Sequence, residues 1–236
     1  MDKVLQQLVE RMTKTFGDRL VSIVLYGSAA GGEYDGAYSD LNVMCVLRQI
    51  TISELRDSEP VFRWWRAQHN PSPLLLSEEE LRTSTDCFPI EFHDMKERRR
   101  ILHGLDVVEP LVIDDSFYRS QVEHELRAKL LRLRQKAAGV MFDDELLRRL
   151  MAESVTTFIV LIRHALRLAG NEVPFARPGI LEQAAAHFHI DPQPFHTLLE
   201  WRAAKQAPKN APATRLLETY LAQIDAVIVA VDAIAK

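Results

Sequence analysis

The 236-residue sequence has little cysteine and no long apolar run. Its two cysteines, Cys45 and Cys87, lie in apolar stretches, which predicts reduced core thiols rather than a disulfide scaffold. Apolar runs such as IVLY and AVIVAV are too short to cross a bilayer. Charged residues occur throughout the first twelve positions, so we expect no signal peptide. These absences predict a cytoplasmic protein without membrane spans.

An excess of positive charge is also missing. Residues 1–114 contain 13 Lys and Arg against 19 Asp and Glu, and residues 115–236 contain 16 against 14. Proteins that bind nucleic acids broadly need a clustered basic surface, which neither half provides. We therefore expect no DNA partner.

The first half of the chain mixes helical and strand patterns. Apolar runs predict strands at 20–26, 40–47, 73–76, 88–95 and 107–112, and helical spacing predicts a helix over 53–68. Ser77 followed by three glutamates predicts a helix N-cap. This order predicts an α+β domain over residues 1–114, with a mixed sheet and flanking helices.

The second half has no strand pattern. Helical stripes of apolar residues run through 122–133, 147–165 and 217–231, and Gly170 is predicted to end the second helix. Proline-rich segments, PFARPG and KQAPKNAPA, connect them. Residues 115–236 are therefore predicted to form a helical bundle domain.

The segment 24–47, VLYGSAAGGEYDGAYSDLNVMCVL, carries the clearest functional signal. A buried strand leads into Gly27 and Ser28, where a glycine lets backbone approach a ligand and the start of a short helix would favour phosphate. Asp40 and Asn42 enter the next strand two residues apart, so their side chains are expected on one face. Glu91, predicted on a strand and sharing its face with His93, could supply a third oxygen ligand.

This layout suits nucleotidyl transfer, which requires a held triphosphate and Mg²⁺ bound by carboxylates. The run YGS…YSDLNVMCVL resembles the nucleotidyltransferases of the DNA polymerase β superfamily, and most closely the aminoglycoside (kanamycin-type) nucleotidyltransferases. The resemblance implies an N-terminal nucleotidyltransferase domain and a C-terminal helical domain of the substrate-binding type.

The resemblance also implies roles for individual residues. Gly27, Ser28 and Ser39 would bind the nucleotide, ATP or another NTP. Asp40, Asn42 and Glu91 would hold Mg²⁺, with Asp40 and Glu91 catalytic. The implied reaction transfers a nucleoside monophosphate, AMP from ATP in the main interpretation, onto a hydroxyl of a small-molecule acceptor that could be aminoglycoside-like.

Asn42 stands where the family has its second carboxylate. An amide oxygen can still contact a metal but brings no charge. This departure motivates a second hypothesis, a catalytically degenerate relative that binds a nucleotide as a sensor or partner module. A third hypothesis is an antitoxin-like protein adenylyltransferase. The sequence predicts neither the acceptor nor the oligomeric state.

Structural interpretations remain open at each position. Ser28 could cap a turn, Asn42 could be a satisfied buried amide, and Glu91 could lie on a solvated strand face. His93 is interpreted as structural. The basic cluster Lys96, Arg98, Arg99 and Arg100 is typical of a solvated face, although one of these cations could reach a triphosphate.

Overall fold

A computed structural model describes residues 1–32, 41–204 and 213–234. The chain divides into two compact units, Met1–Ser116 and Phe117–Lys236. Within the described ranges, no helix has the length and apolar character needed to cross a membrane.

The first unit is built on a four-stranded mixed sheet. Its strands are β1 (Leu20–Tyr26), β2 (Asn42–Leu47), β3 (Leu74–Ser77) and β4 (Arg99–Gly104), in the order β3-β2-β1-β4. Strand β1 pairs antiparallel with β2 and β4, whereas β2 pairs parallel with β3. Strands β1 and β2 are almost continuously buried because both faces of the sheet are covered, which explains their uninterrupted apolar sequences.

Helices α1 (Asp2–Phe16), α2 (Ile52–Arg66), α3 (Glu78–Thr83) and α4 (Pro89–Glu97) flank this sheet. Helices α1 and α2 share one core with the odd-numbered positions of β1 and β2, such as Ile23, Leu25 and Cys45. Helices α3 and α4 contribute to a second core with the alternate positions, such as Val24 and Met44. Because successive strand side chains point to opposite faces of the sheet, each face has its own core.

The predicted strands at 20–26, 40–47 and 73–76 correspond to β1, β2 and β3, with residue 40 outside the described ranges. Ser77 caps α3 as predicted. Its hydroxyl accepts from the Glu80 backbone N–H, while the Glu80 carboxylate accepts from the Ser77 backbone N–H.

The predicted strand at 88–95 is wrong, since this segment forms helix α4. Pro89 explains the difference because proline suits the first turn of a helix and lacks the N–H that a strand ladder needs. The fourth strand lies later, at Arg99–Gly104, where its two arginines hid the strand pattern.

The predicted strand at 107–112 is also wrong, because this segment is irregular. The Asp106 carboxylate accepts hydrogen bonds from the backbone N–H groups of Val108 and Glu109 and so closes a turn, and Pro110 follows. The expectation of two core thiols fails as well, since Cys45 is buried but Cys87 is exposed.

In the described part of the second unit, the regular elements are all helices. Its helices are α5 (Tyr118–Ala138), α6 (Asp144–Leu168), α7 (Arg177–Phe188), α8 (Gln193–Ala203) and α9 (Ala213–Ala233). The predicted apolar stripes lie buried in α5, α6 and α9, and Gly170 follows α6 with a φ of +82°. The sequence pattern did not predict α7 and α8, which begin beside prolines. The predicted α+β class with a C-terminal helical bundle is confirmed.

Candidate functional site

A glycine at the end of β1 lies beside the side chain of the first residue of β2. Tyr26, the last residue of β1, pairs with Asn42, the first of β2. Gly27 follows with a φ of +75°, and a Cβ at this position would lie 3.2 Å from Asn42 Nδ2. A side chain here would therefore meet both backbone strain and a close neighbour. The structure brings Gly27 and Asn42 together.

Beyond Gly27 the chain makes consecutive tight turns over residues 28–32, not the short helix expected from the sequence. The N–H of Ala30 donates to the Gly27 carbonyl oxygen at 3.1 Å, and the N–H of Gly31 donates to that of Ser28 at 3.2 Å. Ala29 is buried in the core beneath α1, which fixes the turn to the sheet. Ser28 is half-buried within this turn. Tight turns of this kind can form concave sites for anions.

Asn42 lies on the sheet face that α4 covers. Strand side chains point alternately to the two faces of the sheet. The side chain of Val43 lies in the core beneath α1, whereas Met44, two residues after Asn42, lies in the core on the other face. Ser39 and Asp40 lie outside the described residues. Their roles, and the shared face of Asp40 and Asn42, remain predictions.

Glu91 is exposed in the first turn of α4, not on a strand. The same helix packs Phe92 and Met95 against the core that contains Met44, so Glu91 belongs to the element covering the face of Asn42. Burial, and then the negative charge of Glu91, raise the pKa of the Tyr26 hydroxyl to about 12. Glu91 therefore acts electrostatically on Tyr26, which is the strand partner of Asn42.

His93 does not share a face with Glu91, contrary to the strand interpretation, because residues two apart point to different sides of a helix. It is buried, and its Nε2 lies 2.6 Å from the Asp115 carboxylate. The His93 side chain is thus held in a part-buried hydrogen bond, as a structural role requires.

The oxygen donors here are those that Mg²⁺ accepts, namely the carboxylate of Glu91 and the amide oxygen of Asn42. In residues 1–32, 41–204 and 213–234, however, no three His, Cys, Asp or Glu side chains gather into a group that could hold a metal. A magnesium site formed by Asp40, Asn42 and Glu91 therefore stays a prediction.

The basic cluster at the end of α4 separates into different environments. The Lys96 ammonium donates to the Glu109 carbonyl oxygen at 2.8 Å. Arg99 donates to the Asp106 carboxylate at 2.9 Å and also pairs with Glu109, and these hydrogen bonds raise the pKa of its guanidinium. These two cations stabilise the segment between β4 and residue 110.

The other two cations point elsewhere. Arg100 forms an exposed ion pair with Asp2 at 3.0 Å. Arg98 lies against Gly31, in the turn that follows β1. Sequence reasoning did not assign Arg98 to this turn or single out Tyr26. The available signals were the position of Tyr26 directly before Gly27 and of Arg98 at the end of a charged helix.

No model of a protein family matches this sequence, and no curated protein matches it. Among solved structures, spectinomycin adenyltransferase AAD(9) from Enterococcus faecialis with ATP and spectinomycin is similar, with a TM-score of 0.59 and 12% identity. The match covers 93% of this chain and 98% of that chain.

A toxin-antitoxin structure with AMP-PNP matches with a TM-score of 0.31 and 13% identity, over 43% of this chain and 74% of that one. That score is too low to support an argument. The first match shows the fold: this chain shares the fold of an adenyltransferase, and the likeness to aminoglycoside nucleotidyltransferases that the sequence predicts is confirmed at the level of the fold.

Proposed function

We propose that the protein is a nucleotidyltransferase that moves AMP from ATP onto a hydroxyl of a small molecule. The observation that carries this proposal is the contact between Gly27 and Asn42 at the end of β1, in a chain with an adenyltransferase fold. A glycine with a positive φ beside a polar strand residue, followed by a tight turn, is an arrangement that lets backbone approach phosphate.

In this proposal, Gly27, Ser28 and Ser39 bind the β- and γ-phosphates. Asp40, Asn42 and Glu91 would hold Mg²⁺, which when bound neutralises phosphate charge. The acceptor hydroxyl oxygen attacks the α-phosphorus, the bond to the bridging β-phosphate oxygen breaks, and pyrophosphate leaves. Glu91 accepts the hydroxyl proton, for which its exposure on α4 leaves room.

The helical unit Phe117–Lys236 is proposed to bind the acceptor. Support comes from the fold match, which extends over 93% of the chain and so includes helices of this unit. Its residues carry a slight excess of positive charge, which does not favour a polycationic acceptor. We therefore propose a hydroxyl-bearing small molecule without naming it.

Pyrophosphate release tests this proposal. Purified protein is incubated with Mg²⁺, ATP and a panel of acceptors that includes aminoglycosides and neutral polyols. At least one acceptor should stimulate release, and Asp40→Asn should lower the rate by about 100-fold or more. Asp18→Asn, which changes a carboxylate before β1, is the matched control and should retain full activity. Absence of release with every acceptor and every NTP, and no effect of Asp40→Asn on ATP binding, would contradict the proposal.

Asn42 favours one alternative, a nucleotide-binding module without turnover. An uncharged amide at the start of β2 removes one negative ligand from the proposed metal site. Calorimetry separates the two functions. Binding of Mg²⁺-ATP without pyrophosphate release, together with tighter Mg²⁺ binding by Asn42→Asp, would support the binding module.

A further inference from the structure

We propose that Arg98 binds the β- and γ-phosphates of the nucleotide at the turn formed by residues 27–32. This inference rests on the proposed function and assigns to it a cation that the sequence pattern leaves undistinguished from its neighbours.

The register of the sheet explains how Arg98 reaches the turn. Arg99 is the first residue of β4 and pairs with Tyr26, the last residue of β1. Arg98 and Gly27 each lie one residue beyond this pair, so they belong to the same end of the sheet. Arg99 turns toward α4, where its guanidinium donates to the Lys96 carbonyl oxygen. Arg98, one residue earlier, instead places its guanidinium against the turn at Gly31.

The Arg98 guanidinium lies directly on the backbone of Gly31. A Cβ at Gly31 would lie 2.4 Å from Arg98 Nη1, 2.6 Å from Cζ and 2.9 Å from Nε. The φ of Gly31 is not positive, so its backbone is open to other residues. The missing side chain at this position therefore provides space for the guanidinium, not conformational freedom.

The neighbouring cations have different positions. Lys96 donates to the carbonyl oxygen of Glu109, Arg99 pairs with the carboxylate of Glu109, and Arg100 pairs with Asp2 on α1. Arg98 is half-buried beside the turn. A planar guanidinium can donate two parallel hydrogen bonds to phosphate oxygens, and partial burial strengthens such contacts.

The N-terminal half of the chain is acidic overall. Residues 1–114 carry six more acidic than basic side chains, so they repel a polyanion overall. A triphosphate held at the turn therefore needs a local cation besides any metal ion. Arg98 is the member of the basic cluster that contacts this turn.

Calorimetry with Mg²⁺-ATP and with AMP tests the role of Arg98. Arg98→Ala should weaken ATP binding by about 10- to 100-fold, as expected for a lost charge-assisted contact, and change AMP binding less than threefold. Arg98→Lys should recover part of the ATP affinity because it restores the charge. Arg100→Ala is the matched control and should bind both nucleotides as the wild type does, since its ion pair is exposed.

Gly31→Ala provides a second route that retains the charge. Its methyl group must displace the guanidinium, so it should selectively weaken ATP binding, and the double variant with Arg98→Ala should lose little more than either single variant. Thermal unfolding of each variant shows whether the fold is intact.

Three results would overturn the inference. If the wild type binds ATP and Arg98→Ala binds it equally well, only the role of Arg98 fails. If Arg98→Ala weakens ATP and AMP equally, Arg98 supports the turn and does not contact the β- and γ-phosphates. If the wild type binds no nucleotide, the proposed function fails and the role of Arg98 with it.

Discussion

The two ends of strand β1 have the same residue types in different surroundings. At the Leu20 end, Arg19 donates to the carboxylates of Glu54 at 2.7 Å and Asp57 at 2.9 Å. Glu54 is only 3% exposed and also accepts from the hydroxyl and backbone N–H of Thr51. At this end, ion pairs and hydrogen bonds between neighbouring side chains connect α2 to the start of β1.

The Tyr26 end is arranged differently. Here Asn42 meets the backbone of Gly27, Glu91 is exposed on α4, and Arg98 lies on Gly31. At the first end an arginine pairs with two carboxylates, whereas at the second end an arginine lies against the backbone of Gly31 and a glutamate is exposed on α4. Polar side chains therefore stabilise the fold at the Leu20 end, and those at the Tyr26 end are the ones we propose to bind the nucleotide.

The largest expected effect separates the two glutamates. Glu91→Gln should lower the rate of AMP transfer by about 10²- to 10⁴-fold because it removes the proposed proton acceptor. It should leave the Tm nearly unchanged because the side chain is exposed. Glu54→Gln should show the reverse. The two ends would not differ as described if both variants lost stability equally or if Glu91→Gln retained full activity.

A pair of glycine variants sharpens the comparison. Gly17 and Gly27 flank β1 and both have positive φ values, +49° and +75°. Alanine should cost about 1–3 kcal/mol of unfolding free energy at either position. Only Gly27→Ala should also weaken Mg²⁺-ATP binding, by about 100-fold, because its Cβ would contact Asn42, whereas nothing lies within 4 Å of a Cβ at Gly17. Chemical denaturation and calorimetry measure the two effects. Equal nucleotide affinities for both variants would place the ligand elsewhere.

The smallest effect concerns pH. Hydrogen bonds from Thr51 and Arg19 lower the pKa of Glu54 from 4.5 to about 2. The folded state therefore favours the ionised carboxylate, which contributes stability above about pH 4.5 that is lost as the pH falls toward 2. The Tm of the wild type should exceed that of Glu54→Gln by several degrees at pH 7, and the difference should narrow between pH 4.5 and pH 2.

Thermal unfolding by circular dichroism at pH 7, 4.5 and 3 measures this dependence. Glutamine retains an oxygen that can accept from the Thr51 backbone N–H, so the difference between the two proteins reports the charge of the carboxylate toward Thr51 and Arg19. A Tm difference that stayed constant with pH would show that the charge of Glu54 does not stabilise the fold.

The sequence predicted the parts of the fold that depend on local apolar patterns. Strands β1 and β2 and the stripes of α5, α6 and α9 have buried residues at regular spacing, so their type was evident. Segment 88–95 was misassigned because FPIEFHDM alternates like a strand, while Pro89 favours a helix start. Strand β4 is not evident from the sequence because it begins with two charged residues, Arg99 and Arg100, which pair with Asp106 and with the distant Asp2.

In the candidate site, too, local contacts were predictable from the sequence and long-range contacts were not. The proximity of Gly27 and Asn42 follows from one hairpin-like pairing and could be anticipated from the motif. The contact between Arg98 and Gly31 depends on the pairing of β1 with β4, which are separated by more than seventy residues, so no local pattern could indicate it.

A crystal structure with Mg²⁺ and a non-hydrolysable ATP analogue tests most directly whether the end of β1 holds the triphosphate. We predict phosphate density against the backbone of Gly27 and Ser28, with the Arg98 guanidinium in contact with the β- or γ-phosphate. An analogue bound at the Arg19 end of the strand, or in the helical unit alone, would contradict the account.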